Sequence, residues 1–345
     1  ELPNRVIEKG IPGAGLLASI LVDKYMDHLP LYRQLQRFKR EKIPIASSTL
    51  EGWARQSLKL IDILYNQLLE DTKSKGYLQA DETPIKVLDK NKKGRTHQGY
   101  YWVYHNPMDK TVFFDYQPGR SAKAAKNVLD GFKGYLQTDG YAVYDKIGKQ
   151  DGVVHLNCWA HARREFDKAI DNDKARGEKA LIYIQQLYAI EAKARQENME
   201  PKQRKELRLE KALPIINEFG KWMVEEFKNH HILPKSQIGK AFRYSLDRWE
   251  QLSAYLYDGN LEIDNNLVEN AIRPVALGRK NYLFAGSHKA AERAAGIYSF
   301  FAICKKHEVN PREWLKYTLE NILDINHKNI RDLYPQNFKK IQEGK

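Results

Sequence analysis

The first 74 residues carry apolar side chains at helical spacing. This pattern predicts helices over 15–27 and 31–42, followed by a longer helix that continues through Leu68. Ser48 and Glu51 have the spacing of a capping box, which predicts Ser48 as the N-cap of that longer helix. Two helices around a short turn also resemble a helix-turn-helix, although plain helical hairpins share this pattern. We therefore predict a helical region over 1–74, with DNA recognition as one interpretation of it.

The run 77–88 is apolar except where two acidic residues interrupt it. It predicts a β-strand, in which Asp81 and Glu82 would be costly to bury unless they are paired or bind a metal ion. Two further strands are predicted over 99–104 and 111–116, and the residues between them have the composition of a turn. The three strands are expected to form an antiparallel meander.

The next segment alternates between helical and strand patterns. The pattern predicts a helix over 121–132, a strand over 135–140, a short helix over 141–147 and a further strand over 153–156. The first of these strands carries a second carboxylate, Asp139, at its end. With the meander, this gives the order β-β-β-α-β-α-β. That order is typical of a ribonuclease-H-like, retroviral-integrase-like α/β fold, so we assign 75–160 to the first part of such a core.

From residue 161 to 257 the pattern is helical throughout and rich in charges of both signs, which predicts a large helical insertion into the core. A turn follows, and residues 264–266 are expected to cap a helix that begins near Leu267 and is kinked or broken at Pro274. We assign 258–325 to the second part of the core, which carries Glu269 and the C-terminal helices. Residues 326–345 are predicted to be a basic tail.

Composition narrows the class of protein. The formal net charge of the 345 residues is +13, and an excess of this size points to a polyanionic partner, of which nucleic acid is the commonest. The two cysteines, Cys158 and Cys304, are too few for a disulfide framework, so we expect a reducing, cytoplasmic setting. No apolar run approaches the roughly 20 residues that span a bilayer. The chain starts without a signal peptide or an initiator methionine, which is consistent with a fragment of a longer protein.

Three acidic positions stand out as candidate metal ligands: Asp81 within a strand, Asp139 at the end of a later strand, and Glu269 on a helix after the insertion. In the ribonuclease-H order the first strand lies beside the fourth, which brings Asp81 next to Asp139. Converging carboxylates can hold two Mg²⁺ ions that clamp the attacking and leaving oxygens of a phosphodiester. Each acid also has an ordinary interpretation, since Asp139 could form a turn and Glu269 could pair with Arg273.

Nearby acids compete for the same role. They are Glu82, Asp145, Glu262 and Asp264. Glu82 should point to the face of its strand opposite Asp81, and Asp264 is better explained as a helix cap.

Four segments of the chain together resemble the IS66 family of insertion-sequence transposases, and the resemblance covers about 11–315. They are the segments 79–84, 136–141, 158–164 and 264–274, and the stretch 24–34 is similar to the segment that precedes the family's catalytic domain. The resemblance implies that Asp81, Asp139 and Glu269 are the acidic triad of a DDE transposase, which holds two Mg²⁺ ions, with Mn²⁺ as a substitute. It further implies metal-dependent cleavage at transposon ends and attack of the freed 3′-hydroxyl on target DNA, without a covalent enzyme intermediate.

The same resemblance suggests partners. A homo-oligomer would bind double-stranded DNA, both the transposon ends and the target. Accessory transposition proteins would be further partners. The protein would be associated with the nucleoid when it is bound to DNA. A Cys-x-x-His element similar to that of Cys158 and His161 recurs in related transposases near the active site, so we assign His161 a structural or DNA-contacting role. Basic residues that follow this element or Glu269 are expected to contact DNA phosphates: Arg163, Arg164, Arg273, Arg279 and Lys280. The ordinary alternative for each is an exposed side chain that contacts only solvent.

The chain departs from the family in one respect. Members commonly carry an upstream cysteine-bearing DNA-binding region, and none precedes Glu1. An intact acidic triad would therefore not by itself imply recognition of the terminal repeats. Two alternatives remain: a ribonuclease-H-like nuclease or resolvase that cuts without joining, and a catalytically silent DNA-binding protein derived from a transposase.

Overall fold

A computed structural model of the protein describes residues 5–8, 10–89, 95–229 and 232–342. Within these residues the chain is a mixed α/β protein. The strands are β1 (Tyr77–Leu88), β2 (Thr96–Asn106), β3 (Thr111–Gln117), β4 (Gly134–Thr138) and β5 (Val153–Asn157). The helices are α1 (Ala14–Tyr25), α2 (Leu31–Arg40), α3 (Ser47–Lys73), α4 (Ala122–Leu129), α5 (Ala142–Ile147), α6 (Trp159–Ala169), α7 (Lys174–Gln196), α8 (Pro201–Leu207), α9 (Leu213–Asn229), α10 (Gln237–Leu246), α11 (Trp249–Ser253), α12 (Asn266–Tyr282), α13 (His288–Lys306), α14 (Pro311–Asn321) and α15 (Pro335–Gln342).

The five strands form one sheet in the order β3-β2-β1-β4-β5. The predicted element order β-β-β-α-β-α-β is confirmed, and β1 lies beside β4 in parallel, as expected. Strand β2 pairs with β3 in antiparallel fashion, and β4 pairs with β5 in parallel. Parallel neighbours need a crossover connection, and α4 and α5 lie in the chain between the strands concerned.

The contacts of the chain divide it into two compact units. The first contains 1–75, 81–130 and 268–345, and the second contains 76–80 and 131–267. Strand β1 contributes its first residues to the second unit and the rest to the first. The division separates the helical segment that follows β5 from the helices at the two ends of the sequence.

In the first unit, α13 packs against β3 and α3. The hydroxyl of Ser299 on α13 accepts a hydrogen bond from the Phe114 N–H at 2.8 Å, and the Tyr65 hydroxyl on α3 donates to the Phe114 carbonyl at 2.8 Å. The Tyr65 ring also stacks on Phe113, with ring centroids 4.9 Å apart. These contacts satisfy the backbone of β3 with side chains while its apolar face is buried.

The second unit has a core of aromatic side chains. Trp159 and Phe166 on α6 meet Phe219 on α9, with ring centroids about 6 Å apart. The Trp159 indole N–H donates to the Leu252 carbonyl at 2.7 Å, which satisfies the one polar atom of a fully buried side chain. The helices α6 to α11 confirm that the segment predicted as an insertion is helical.

A buried ion network joins three segments of that helical region. The Glu191 carboxylate on α7 accepts hydrogen bonds from Arg208 at 2.7 and 2.8 Å and from Arg204 at 2.6 Å. Arg204 also bonds Glu262 at 3.0 Å, while Arg208 donates to three backbone carbonyls, those of Tyr255, Asp258 and Leu261. Burial raises the pKa of Glu191, but the two arginines outweigh it and the net pKa is lowered.

Two predictions about helix boundaries are wrong. Helix α3 begins at Ser47, its N-cap is Ala46, and no side chain caps it. The Ser47 hydroxyl instead bonds the Glu51 carboxylate at 3.0 Å, one turn further along the helix, so the glutamate has a partner other than the predicted cap.

Helix α12 continues through Pro274, so the predicted break is absent, whereas the alternative, a kink at Pro274, stays a prediction. A proline inside a helix removes a hydrogen bond and costs about 3 kcal/mol. Four apolar or small positions on both sides of it are buried: Ala271, Ile272, Val275 and Gly278. Their packing offsets the local cost, so the helix stays continuous.

Part of the segment predicted as a basic tail is folded. A 3₁₀ helix spans His327–Leu333 and is followed by α15. Arg331 forms an ion pair with Asp71 on α3 at 2.7 Å, and Ile330 and Leu333 are buried. Apolar residues within this charged stretch therefore pack against the first unit. Residues 343–345 of the predicted tail lie outside the described residues.

Replacing Arg208 with methionine should destabilise the protein by about 3 kcal/mol, because Glu191 keeps its charge in the core with half of its partners gone. The measurement is the free energy of unfolding from urea titration of the full chain. Lys193→Met is the matched control, because it removes a cation from an exposed pair on the surface, in which Lys193 Nζ lies 3.9 Å from Glu197 Oε1. A loss for Arg208→Met below about 1 kcal/mol would show that the network contributes no more than a surface pair.

Candidate active site

Asp81 lies in β1 directly after four buried residues, at the point where the strand becomes half-buried. Its Oδ1 accepts a hydrogen bond from the Glu82 N–H at 2.7 Å. The Glu82 side chain is 1% exposed and forms an ion pair with Arg120, whose Nε lies 2.7 Å from the carboxylate. Arg120 therefore neutralises the acid next to Asp81 and gives Glu82 a structural partner.

Asp139 follows immediately after the last residue of β4 and is half-buried. Its Oδ1 accepts a hydrogen bond from the Tyr141 N–H at 2.9 Å, so the turn-forming role considered for it is present. The Tyr244 hydroxyl on α10 donates to the Asp139 carbonyl at 2.7 Å. The next residue, Gly140, has a backbone φ of +94°, which residues other than glycine rarely adopt. Glycine thus lets the chain turn sharply after this carboxylate.

Glu269 is half-buried in the first turn of α12. The segment that leads into this helix is tied to the ends of two strands within the second unit. The Gln79 amide of β1 donates to the Asp264 carbonyl at 2.9 Å, and the Gln137 amide of β4 donates to the Glu262 carbonyl at 2.8 Å. The start of α12 is therefore fixed by side chains from two strands.

The two glutamines also bind each other. Gln79 Nε2 donates to Gln137 Oε1 at 2.8 Å, and the Tyr77 hydroxyl donates to the same oxygen at 2.6 Å. All three side chains are at most 2% exposed. The strand register pairs Gln79 with Gln137. Each glutamine precedes an aspartate by two positions, which makes Gln-x-Asp a repeated unit of the two strands.

Asp264 fixes the first turn of α12. Its Oδ1 accepts a hydrogen bond from the Asn266 N–H at 3.0 Å, which confirms its predicted capping role. The Tyr188 hydroxyl on α7 donates to its Oδ2 at 2.8 Å. Burial raises the pKa of Asp264, although the hydrogen bonds from Tyr188 and Asn266 oppose that shift. This acid is occupied by structural partners.

Cys158 is fully buried and packs at the start of α6. Its Sγ accepts a hydrogen bond from the Asn265 N–H at 3.4 Å, and burial raises the pKa of the thiol to about 12. A protonated thiol is a poor metal ligand, because metals bind the thiolate. His161 lies one turn into the helix, where its Nε2 is 3.1 Å from the Arg164 guanidinium.

The predicted phosphate-binding residues fall in both units. Arg163 and Arg164 are exposed on α6 and line a cavity of about 700 Å³ together with Gln185 and Tyr188 of α7. On α12, Arg273 and Lys280 are exposed, and the Arg279 guanidinium donates to the Pro84 carbonyl of β1. These residues form two separate basic surfaces, one in each unit.

The three predicted triad residues do not fall in one unit: Asp81 and Glu269 belong to the first and Asp139 to the second. Across the described residues, no group of three or more His, Cys, Asp or Glu side chains is assembled as a metal site. The donor set nevertheless fits magnesium chemically, because carboxylate oxygens are the hard ligands that Mg²⁺ prefers.

A family model, the Transposase IS66 family, matches residues 9–293. The chain belongs to the IS66 transposase family. It is 35% identical to uncharacterized protein y4qI of Sinorhizobium fredii over 98% of this chain and 65% of that protein. It is 32% identical to uncharacterized protein y4jD of the same organism, over 99% of this chain and 69% of that protein. The chain thus spans about two thirds of the length of these two relatives.

No helix among the described residues of this IS66 family member is long and apolar enough to cross a membrane. The structure also contains functional candidates that the sequence interpretation did not identify, namely Gln79 and Gln137. The sequence did contain a signal for them, because a glutamine stands two residues before a candidate aspartate in both strands. The structure adds that both glutamines are buried. Their partners could not be found from sequence, since the carbonyls they bind lie 185 and 125 residues away.

Gln137→Met should destabilise the protein by about 2 kcal/mol, because the Tyr77 hydroxyl, the Gln79 amide and the Glu262 carbonyl each lose a buried partner. It should also speed amide hydrogen exchange over 260–268, because Gln79 and Gln137, here called the glutamine clamp, tie this segment to the strands. Unfolding titration and hydrogen-exchange mass spectrometry measure the two effects. Gln186→Met, at an exposed position of α7, is the control. Unchanged exchange over 260–268 would show that the clamp does not order the start of α12.

Proposed function

We propose that this IS66 family member is a DNA transposase in which Asp81, Asp139 and Glu269 hold two Mg²⁺ ions on a ribonuclease-H-like core. Its activity would be cleavage at transposon ends, followed by transfer of the freed 3′-hydroxyl into target DNA. Family membership supports the class of activity. The observation that carries the assignment of residues is the pairing of Gln79 with Gln137 in β1 and β4, each two residues before a candidate aspartate.

The register supports the pairing of the two aspartates. Tyr77, Leu78 and Gln79 pair in sequence with Tyr135, Leu136 and Gln137. Parallel strands advance together, so continuing this register by two residues predicts Asp81 at the level of Asp139. The strand order β3-β2-β1-β4-β5 also has the first strand beside the fourth, as the ribonuclease-H-like order predicts.

Two like charges at neighbouring positions repel each other unless a cation lies between them. Bound Mg²⁺ would supply that charge and would lower the pKa of an attacking water, and Mn²⁺ would substitute for it. Asp81 and Asp139 would hold the ions from β1 and from the end of β4. Glu269 would hold one of them from α12, whose start the glutamine clamp fixes. No side chain acts as a nucleophile in this proposal.

The basic residues would hold the DNA. Arg163 and Arg164, with His161 beside them, would bind phosphates on the second unit, and Arg273, Arg279 and Lys280 would do so beyond Glu269. Guanidinium groups suit phosphate because they can donate two parallel hydrogen bonds. We further propose that two or more copies pair the two ends of the element, and that accessory transposition proteins assist.

Two other functions use the same features. A nuclease or resolvase would cut DNA without joining ends, and a silent transposase-derived protein would bind DNA only. Both Gln-x-Asp units and Glu269 are intact, which favours catalysis over silence.

Strand transfer should require all three acids. With a pre-cut transposon-end oligonucleotide, a target plasmid and Mg²⁺ or Mn²⁺, the variants Asp81→Asn, Asp139→Asn and Glu269→Gln should each lose at least about 100-fold in joined product, since each removes a metal ligand. Gel analysis of the labelled oligonucleotide measures the product.

Asp145→Asn is the control for this assay, because Asp145 is a half-buried carboxylate on α5 outside the proposed triad. Cleavage without joining in the unmodified protein would favour the nuclease, and binding without either reaction would favour the silent protein. Activity retained in Asp139→Asn but lost in Asp145→Asn would refute the triad as assigned.

The proposed phosphate contacts should make DNA binding depend on salt. Each contact contributes about 0.9 to the slope of log affinity against log salt concentration, so Arg163→Gln combined with Arg164→Gln should reduce the slope by about 1.8. Fluorescence anisotropy with a labelled duplex in EDTA measures it without catalysis. Lys174→Gln with Lys193→Gln is the matched control, because both lysines are exposed on α7 and each faces a glutamate four residues away. Equal slopes for the two double variants would exclude the α6 arginines as contacts.

A further inference from the structure

The turn between α12 and α13 presents two large apolar side chains to solvent. Leu283 is 61% exposed and Phe284 is 40% exposed. Leu283 also has φ +62, in the left-handed region that bulky residues seldom occupy. A leucine at this position gains little from burial, and glycine would adopt the same backbone without strain. The fold itself therefore gives no reason for a leucine at this position.

The turn is held firmly against β1 within the first unit. The Ala285 N–H donates to the Lys86 carbonyl at 2.8 Å, and the Ala285 carbonyl accepts from the Leu88 N–H at 2.9 Å. The Phe284 N–H donates to the Tyr282 carbonyl at 2.7 Å. On the far side, the Ser287 hydroxyl caps α13 by accepting from the Ala290 N–H at 3.1 Å. The two apolar side chains thus project from a fixed backbone.

Positive charge surrounds this turn along the chain. Lys280 precedes it on α12, Lys289 follows it on α13, and both are exposed, as is Lys86 on the strand that holds the turn. The sequence from 270 to 291 contains no aspartate or glutamate. On the strand side, Asp89 follows Leu88, so the turn is flanked by three lysines and one carboxylate and is basic on balance. An apolar tip with a surplus of cations on its flanks is complementary to nucleic acid, whose phosphates lie on either side of stacked apolar bases.

We propose that Leu283 and Phe284 form a wedge that inserts between neighbouring bases of duplex DNA and unstacks them, while the flanking lysines bind the phosphates. This rests on the proposed function only in taking DNA as the partner. The wedge would distort DNA beside the helix that carries Glu269.

The occupant could instead be a second copy of this chain. A two-fold contact through this turn would bring the same patch of each copy together, and with it two sets of cations. Like charges facing each other at an interface are unfavourable. Charge complementarity therefore favours DNA over self-association at this turn.

The test uses the full chain in EDTA with a set of duplexes that carry the fluorescent adenine analogue 2-aminopurine at successive positions from a blunt end to the centre. Its fluorescence rises when the base loses its stacking neighbours. Saturating protein should raise the emission about threefold at one or two adjacent positions, as expected for local unstacking by an apolar side chain. No rise at any position with the unmodified protein would overturn the proposal.

Leu283→Gly is the decisive variant. Glycine relieves the left-handed strain, so the thermal midpoint of unfolding should stay the same or rise, while the 2-aminopurine signal should fall to the level of free DNA. A signal that persists in Leu283→Gly would overturn the wedge. Leu323→Ala, at a leucine of the same unit that is 46% exposed, is the control and should keep the full signal.

Two further measurements separate the remaining outcomes. The assay is repeated in Glu269→Gln, because a wedge unstacks bases without chemistry. A 2-aminopurine signal in Glu269→Gln and in the unmodified protein, with no strand transfer by the unmodified protein, would leave the wedge standing without the proposed function. Strand transfer by the unmodified protein without any 2-aminopurine signal would overturn the wedge and leave the proposed function standing. Light scattering that shows a dimer for the unmodified protein and a monomer for Leu283→Gly would assign the turn to self-association and overturn the proposal.

Discussion

Two amide side chains buried between parallel strands impose the constraint on which the candidate site depends. A buried amide is costly unless its donors and acceptors are satisfied. Gln79 and Gln137 satisfy each other in part and obtain their remaining acceptors from the backbone of the segment before α12. The need to pair these groups therefore links the strand ends to the helix that carries Glu269.

The helical segment after β5 contributes to the same link. Its buried arginine, Arg208, donates to the carbonyls of Tyr255, Asp258 and Leu261, and Arg204 holds the Glu262 side chain. Glu191 and Glu262 together balance the two guanidinium charges. This helical segment thus holds the chain from 255 to 262, and the glutamine clamp holds it from 262 to 264. Together they define where α12 begins.

Much of the fold was predictable because it follows from local patterns. Alternating apolar residues and turn residues were enough for the strands and their order, and the parallel pairing of β1 with β4 followed from that order. Local patterns failed where tertiary packing outweighed them. Pro274 lies inside a continuous helix because buried residues on both sides hold it, and α3 begins at Ser47 without a side-chain cap.

The sequence by itself determined the element order, the family and the three acids that deserve testing, because each is written in residue type and spacing. Only the tertiary structure decided that Glu82 is neutralised by Arg120, that Gln79 and Gln137 clamp the start of α12, and that Leu283 is exposed in a strained turn. The physical reason is distance along the chain. Burial, ion pairing and backbone strain arise from contacts between residues tens to hundreds of positions apart, and no local pattern specifies which groups will meet.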